Sequence, residues 1–585
     1  MKTPSSSIVH NTGAGIPVSD NIGDGNHASD RSIGDGAGDC NAGITTSVNA
    51  RKVGVSSPAG YLVDYELLDT NASFKSIVTD LQRREINIVS MIAANGAGGA
   101  TPQEIRPAIG GKLSGRKGKN SAPLLFTLPL VTAQSLGSRS FCRDYGAAYA
   151  YYAGSMANGI SSAEMVIALG RAGYMGAYGS GGKTLEEVAL AIDQITAALP
   201  QGPYLINLLH SQINRSYDEQ MVALFLKKSV RAIEVSAFID VSAPLVYYRL
   251  AGLTENAGGG WRTENRIIAK VSREEVAEKF MSPPDPKITA ELLAKGLITA
   301  QQAEWAKEIS VADDVTAEAD SGGHTDNMPL VSLLPMMVAL RDRIQLRHGY
   351  KQRIRVGAAG GIGTALSAAG AFQMGADYVV TGSVNQACVE SGTSDYVKQM
   401  LALTGMADVV MAPSADMFES GARVQVIKKG TMFPMNAQKL YDLYIRYSSL
   451  EEIPEKEKTA LEKRVFHADF ATIWTWVREY FMKVDNKQVL RAEANAKTKM
   501  ALVFRWYLGN SSRWAILGET ERKMDMQIWC GRSLGAFNRW VLGTELEQAE
   551  NRTVVAVAQK IMNEAALITM ENIMKQAGFD VADHG

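Results

Sequence analysis

Between residues 148 and 381, short β-prone runs alternate with helical stretches eight times over, a rhythm that few folds accept. The runs are Ala148–Ala153, Tyr174–Tyr178, Tyr204–Leu208, Ala232–Ala237, Arg266–Val271, Val315–Ala319, Ile354–Ala358 and Asp377–Thr381. Amphipathic segments such as Ala163–Ala172, Leu185–Leu199 and Leu330–Arg347 lie between them. Parallel strands need a crossover, and a helix is the usual one, so the alternation reads as βαβ units. Eight units within residues 146–405 match an α/β protein of the (β/α)8 TIM-barrel class. The fifth unit is oversized: residues 272–312 carry Pro283, Pro284 and Pro286, then a helical pair, Ile288–Lys295 and Ala300–Ile309. An insertion after a barrel strand is expected at the active-site end, as a lid or substrate platform.

The flanks read differently, and 585 residues exceed what one hydrophobic core holds. Residues 1–50 are rich in Gly, Ser, Asn and Asp and hold too little apolar surface to offset ordering entropy. They are expected to form a disordered tail or linker. Residues 51–145 read as a small mixed unit of short strands, interrupted by a basic, solvated loop, Gly110–Lys119. Residues 406–585 are helical and aromatic, with six of the eight tryptophans between 471 and 540. Packing of a helical extension is the plain explanation for them, and an exposed docking face is the alternative. Lys plus Arg (60) balance Asp plus Glu (61), which argues against nucleic acid or an anionic membrane as the main partner. Four scattered cysteines form no CxxC pair, which argues against a disulfide framework or a zinc site. No stretch approaches the roughly 18 uninterrupted apolar residues of a membrane span. Met1–His10 has no apolar signal core either, so the expected location is cytoplasmic.

Three places carry chemistry. Gly357-Ala-Ala-Gly360-Gly361-Ile362-Gly363-Thr364 follows the seventh run, and Gly382-Ser383 follows the eighth. Loops after strands 7 and 8 form the usual phosphate site of such barrels, with glycine letting backbone N–H groups approach. Glu318-Ala-Asp320-Ser321-Gly322-Gly323-His324-Thr325-Asp326 follows the sixth run. It sets an imidazole suited to proton transfer at the barrel mouth, with Glu318, Asp320 and Asp326 as orienting or merely solvated carboxylates. At the first strand ends Ala153-Gly154-Ser-Met156-Ala157-Asn158-Gly159, Gly173–Gly182 and Asn207 leave room for a flat ring system with an amide beside it. Lys270, ending the fifth run, stabilises an oxyanion or forms an ion pair. Two further motifs carry less weight. Ala177–Thr184 is a loose Walker A pattern lacking its first glycine, and Gly531-Arg-Ser533-Leu-Gly535 matches GxSxG away from any strand end.

Taken together, Ala153–Gly159, Gly176–Gly182, Asn207, Ser321–His324, Ala359–Ile362 and Thr381–Ser383 resemble the nitronate monooxygenase-like flavoproteins. More narrowly, the chain is similar to the trans-acting enoyl reductases of polyketide and polyunsaturated fatty-acid synthases. That similarity rests on Ala153–Ile160, Ala319–Asp326, Thr381–Gln386, Met411–Phe418, Ala501–Leu508 and Gly535–Trp540, and runs from about 122 to 568. It implies an FMN-holding barrel, reduced nicotinamide (NADPH) as hydride source and acyl-carrier-protein thioesters as substrate. His324 is then the catalytic residue. The cofactor falls to Gly154, Met156, Ala157, Asn207 and Lys270 on the first strands, and to Ser321, Gly322 and Gly323 after the sixth. Gly360, Gly361, Ile362, Gly382 and Ser383 complete the set. A nitronate monooxygenase is the rival, and an inactive FMN-binding scaffold the third reading. The cations Arg478, Lys483, Lys487, Arg491, Lys497 and Lys499 are either a docking face for an acidic carrier protein or a solvated surface.

Overall fold

The computed structural model describes residues 62–67, 88–94, 104–114, 121–210 and 215–576. The expected tail, 1–50, lies outside them, as do residues 115–119 of the expected basic loop. The other half of that loop is strand. Glu104–Ser114 pairs antiparallel with Leu62–Leu67 and Ile88–Ala94, and with Ser121–Pro129 these close a four-stranded barrel. Gly110 there sits opposite Tyr65, so long-range pairing has overridden glycine's poor strand preference.

The eight expected runs each overlap one strand: β1 Tyr151–Ala153, β2 Met175–Tyr178, β3 Leu205–Leu209, β4 Ala232–Ser236, β5 Arg266–Val271, β6 Asp314–Glu318, β7 Arg355–Ala359 and β8 Tyr378–Thr381. All neighbours pair in parallel, and the sheet closes in the order β5-β6-β7-β8-β1-β2-β3-β4. This is a TIM barrel. Its strands are buried on both faces, which is why they read as near-continuous apolar runs. Ser162, Thr184 and Thr364 open the helices after β1, β2 and β7, each accepting a backbone N–H three residues on. The Lys183-Thr184 of the loose Walker pattern is thereby explained. Thr184 caps a helix, and Lys183 pairs with Glu187 one turn along at 3.0 Å.

Charged side chains close the barrel's amino-terminal end. Asp314, fully buried, accepts from Tyr145 Oη at 2.6 Å and from Arg355 Nε at 2.5 Å. Arg249 and Asp313, equally buried, pair at 2.8 Å. The inserted helical pair, Pro286–Ala294 and Ala300–Trp305, lies at this end too. The chain reaches it only after the crossover helix Glu274–Met281 has carried it away from the mouth. Its apolar side packs on Val246, Leu250 and Leu253. Glu308 and Ser310, which follow it, line a cavity of about 280 Å³ together with Arg249, Arg266 and Arg355. The lid expectation is therefore corrected: the insert buttresses the opposite end.

Beyond the barrel the extension begins with strands, not helix. Val409–Pro413 and Arg423–Ile427 form an antiparallel hairpin, to which the two residues Gly323–His324 add a third strand. Five helices from Phe433–Arg446 to Ala496–Leu517 then enclose a second core around Phe418, Phe433, Phe466, Phe504 and Tyr507. Trp474, Trp506, Trp514 and Trp529 pack against that core, while Trp476 remains 44% exposed. Lys497 is not part of a solvated face. Its ammonium donates to the Tyr444 and Tyr447 carbonyls at the end of helix Phe433–Arg446 and lies 4.0 Å over the Tyr444 ring. The last helix, Val554–Gln576, returns to the barrel core through Val557, Ala558, Ile561 and Ala565. Among the described residues, no helix is long and apolar enough to cross a membrane.

Arg355→Met leaves the buried Asp314 carboxylate without its cation. The variant is expected to lose about 3–5 kcal/mol of unfolding free energy, as urea denaturation reads it. A loss below about 1 kcal/mol, the scale of a solvated pair, would remove this charge network from the stability of the barrel.

Candidate active site

At the carboxyl-terminal mouth one carboxylate organises the first strands. Glu234 on β4 is fully buried and accepts from Ser155 N at 3.1 Å and from Tyr152 Oη at 3.3 Å. Asn207 on β3 donates its amide to the Glu234 carbonyl and to Ser236 Oγ, both at 3.1 Å, so its N–H groups are already engaged. Lys270 Nζ stands 3.7 Å from Glu234 and 3.4 Å from Glu318. Of its two expected roles, the ion pair is the one present. Burial disfavours the Lys270 charge, but the two carboxylates outweigh that and raise its pKa above the ordinary lysine value. Burial pushes the Glu318 carboxyl up, against the pull of Lys270. Glu234 was missed in the sequence; its only signal there was a charge inside an apolar run.

His324 is reached by two glycines, Gly323 with φ +85°, and is held in register opposite Val424 of the extension. Its Nε2 lies 2.9 Å from Ser414 Oγ and 3.1 Å from Asp416 Oδ1. The Ser414 hydroxyl in turn donates to the same carboxylate oxygen. Partial burial disfavours the His324 charge. The hydrogen bond and charge of Asp416, with Glu318 behind, prevail and raise the imidazole pKa above its ordinary value. Burial also disfavours the Asp416 charge, yet the His324 hydrogen bond overrides it and brings that carboxyl to about 2. The carboxylates expected to orient His324 are occupied elsewhere. Glu318 faces Lys270, Asp320 accepts from Gln425 Nε2 at 2.8 Å, and Asp326 pairs with Arg273 at 2.9 Å.

The glycine loops open onto space at two points. Gly360 and Gly361 both have positive φ, +79° and +76°. A side-chain carbon at Gly361 or Gly382 would meet no atom within 4 Å, whereas one at Gly360 would strike the Ala319 carbonyl at 2.6 Å. Ser321 Oγ is buried without a hydrogen-bond partner, which is unusual for a polar atom and fits a polar ligand set against it. Ile362 is different: its side chain is buried in the barrel core, so only its backbone is available to a ligand. The extension braces these loops from outside with the stretch 529–533. Gly531 N donates to Ser383 Oγ at 2.8 Å, leaving the Ser383 hydroxyl hydrogen to point elsewhere. A side-chain carbon at Gly322 would lie 3.1 Å from the Cys530 backbone, and one at Gly363 would overlap the Ser533 carbonyl. The GxSxG glycines are thus packing glycines, since a side-chain carbon at Gly535 would likewise overlap the Met406 backbone.

A sequence model described as nitronate monooxygenase matches residues 147–447, just over half the chain. The chain belongs to that family. Residues 447–526 match a second model, the inserted helical domain of [acyl-carrier-protein] S-malonyltransferase. A polyunsaturated fatty acid synthase subunit of a Thraustochytrium species is 46% identical over 451 residues, 76% of this chain and 30% of its own length. Polyketide biosynthesis protein PksE of Bacillus subtilis is 46% identical over 444 residues, 76% of this chain and 58% of its own. The chain therefore spans less than two thirds of these curated relatives. The crystal structure of the enoyl reductase domain of MlnA, from the macrolactin cluster of Bacillus amyloliquefaciens, superposes with TM-score 0.73. It is 44% identical and is covered over 99% of its length, against 76% of this chain. Within this nitronate monooxygenase family member, the extension packs against the loops at the barrel mouth.

Lys270→Met tests the charge balance at the mouth. Without the ammonium, Glu234 and Glu318 face each other uncompensated. The Glu318 carboxyl, already pushed up by burial, loses the cation that pulls it down, so its pKa rises further in the folded state relative to the unfolded chain. The variant should therefore be about 3 kcal/mol less stable at neutral pH. The deficit should shrink as pH falls through the raised value and the Glu318 carboxyl takes up a proton. Urea titrations at two pH values measure it, and an equal deficit at both would exclude the coupling.

Proposed function

We propose that this protein is an FMN-dependent enoyl reductase that saturates the α,β-double bond of carrier-protein-bound 2-enoyl thioesters in a polyketide or polyunsaturated fatty-acid pathway, with NADPH as hydride source. The observation that carries this reading is the likeness to the MlnA enoyl reductase domain, at 44% identity over 99% of that domain. The likeness takes in more of the chain than the barrel, and so reaches the extension that holds His324. The family model's own name supports nitronate oxidation as the rival reading.

The residues present fit a flavin mononucleotide. Gly360, Gly361, Gly382 and Ser383 would hold its phosphate, where open space and glycine backbone meet, and the unpartnered Ser321 hydroxyl would bond its polar edge. Gly154, Met156 and Ala157 would border the ring. A bound flavin would supply hydride transfer from NADPH to the β-carbon of the substrate. The chain's part is the proton. As the α-carbon gains negative charge, the His324 imidazolium releases a proton to it and is recharged from water, which its half-exposed ring reaches. The buried Glu234–Lys270–Glu318 group holds the first strand ends rigid beneath this chemistry.

The deciding assay is mass spectrometry of a carrier-bound enoyl substrate after incubation with NADPH. Gain of one dihydrogen supports the reductase. Oxygen consumption with a nitroalkane, and no change in the enoyl chain, would sink it. Released cofactor should be FMN, and Gly361→Val should lower its occupancy, since the added carbons enter the open phosphate approach. Full occupancy would place the phosphate elsewhere. His324→Ala is expected to keep its colour and its reduction by NADPH, while re-oxidation by the enoyl thioester slows by roughly 10²–10⁴. Unchanged re-oxidation would leave the proton to water.

A further inference from the structure

We propose that Asp416, delivered by the extension, is the positioning residue of the proton donor: it grips the Nε2 edge of His324 and leaves Nδ1 as the nitrogen that exchanges protons. This deepens the enoyl-reductase reading and rests on it for the role of His324.

The hydrogen-bond directions lead to the tautomer. Among the described residues, the His324 ring bonds only Ser414 Oγ and Asp416 Oδ1, both through Nε2, at 2.9 and 3.1 Å. The Ser414 hydroxyl spends its hydrogen on Asp416. Both partners of Nε2 are therefore acceptors, and Nε2 carries a hydrogen whatever the charge of the ring. Neutral His324 is then the Nε2–H tautomer, and the proton that comes and goes sits on Nδ1. The ring needs such a hold, because a two-residue strand behind two glycines constrains it weakly and it is 47% exposed. No other anion takes that place. Glu318 faces His324 from β6 but is paired with Lys270. On the histidine's own loop, Asp320 is held by Gln425 and Arg532, and Asp326 by Arg273 and Ser272. The raised imidazole pKa and the lowered Asp416 pKa agree with this arrangement.

The test uses the full-length, flavin-loaded protein with isotope-labelled histidine, the His324 signals being assigned by their loss in His324→Gln. In the parent, Nδ1 should titrate while Nε2 stays protonated. In Asp416→Asn the His324 titration should move to lower pH, whereas Asp416→Glu, which keeps the charge, should stay near the parent. The alkaline limb of re-oxidation by carrier-bound enoyl thioester should move the same way. At mildly alkaline pH its rate should fall on the order of tenfold to a hundredfold, with reduction by NADPH unaltered. A folded, yellow Asp416→Asn protein whose His324 titrates as in the parent overturns the proposal. If that variant does not fold, Asp416→Ser takes its place under the same criterion. Failure of the parent to reduce any enoyl thioester would strike the enoyl-reductase reading instead, and the titration would still decide the role of Asp416.

Discussion

Two residues of strand, Gly323–His324, pair with Val424 and Gln425 of a hairpin that follows the barrel by some distance in sequence. That short ladder joins two cores. On one side lies the loop leaving β6, with the unpartnered Ser321 hydroxyl and the half-exposed imidazole; on the other lies the aromatic core built around Phe418 and Phe504. A loop that begins Ser-Gly-Gly has little conformational preference of its own. The ladder supplies the order that the loop sequence lacks, and it brings Ser414 and Asp416 into range of the ring. Positioning of the histidine is thus a tertiary property, set by residues roughly ninety positions away.

Electrostatics divides the barrel by end. At the amino-terminal end Asp144, Asp313 and Asp314 are matched by Arg249, Arg266 and Arg355, and the charges are packed tightly enough to act as structure. At the mouth the count does not close: Glu234 and Glu318 share the one ammonium of Lys270. An excess of negative charge there favours retention of protons by nearby groups; at His324 the main raising cause is the Asp416 hydrogen bond and charge, to which Glu318 adds. The same side-chain types do opposite tasks at the two ends, because neutralised charge fixes a fold while unbalanced charge leaves a group ready to change state.

The barrel was legible because its signal is local. Each strand is an apolar run bounded by polar or glycine turns, and each of the eight expected runs overlaps its strand, with Leu209, Asp314 and Ala359 falling one residue outside. The glycine loops were legible for the same reason, since the glycines cluster within a few residues of β7 and β8. The insert after β5 was misplaced because sequence order shows that it exists but not whether it leaves the chain before or after the crossover helix. Glu318, Asp320 and Asp326 drew attention as orienters through nearness in sequence, yet all three are committed to other partners. Asp416 lay inside a recognised block, Met411–Phe418, and nothing in that block says which distant side chain it meets. Gly531 and Gly535 resembled a hydrolase motif, and only the close approach of Gly322 and Met406 shows that they are there for want of a side chain.

The extension's return to the barrel also has a consequence for synthesis. The ribosome has made all eight strands by Thr381, but the brace at 529–533 and the final helix Val554–Gln576 emerge much later. Domains tend to fold as they emerge, so a nascent barrel waits with an undressed mouth, its β6 loop unpaired and the helix after β7 bare on its outer side. The β6 loop gains its ladder only once residues 423–427 are made, and the glycine loops gain their brace only with 529–533. Ordering of the mouth is thereby postponed well past completion of the barrel strands, and a chain released before residue 529 carries a barrel whose mouth is unbraced.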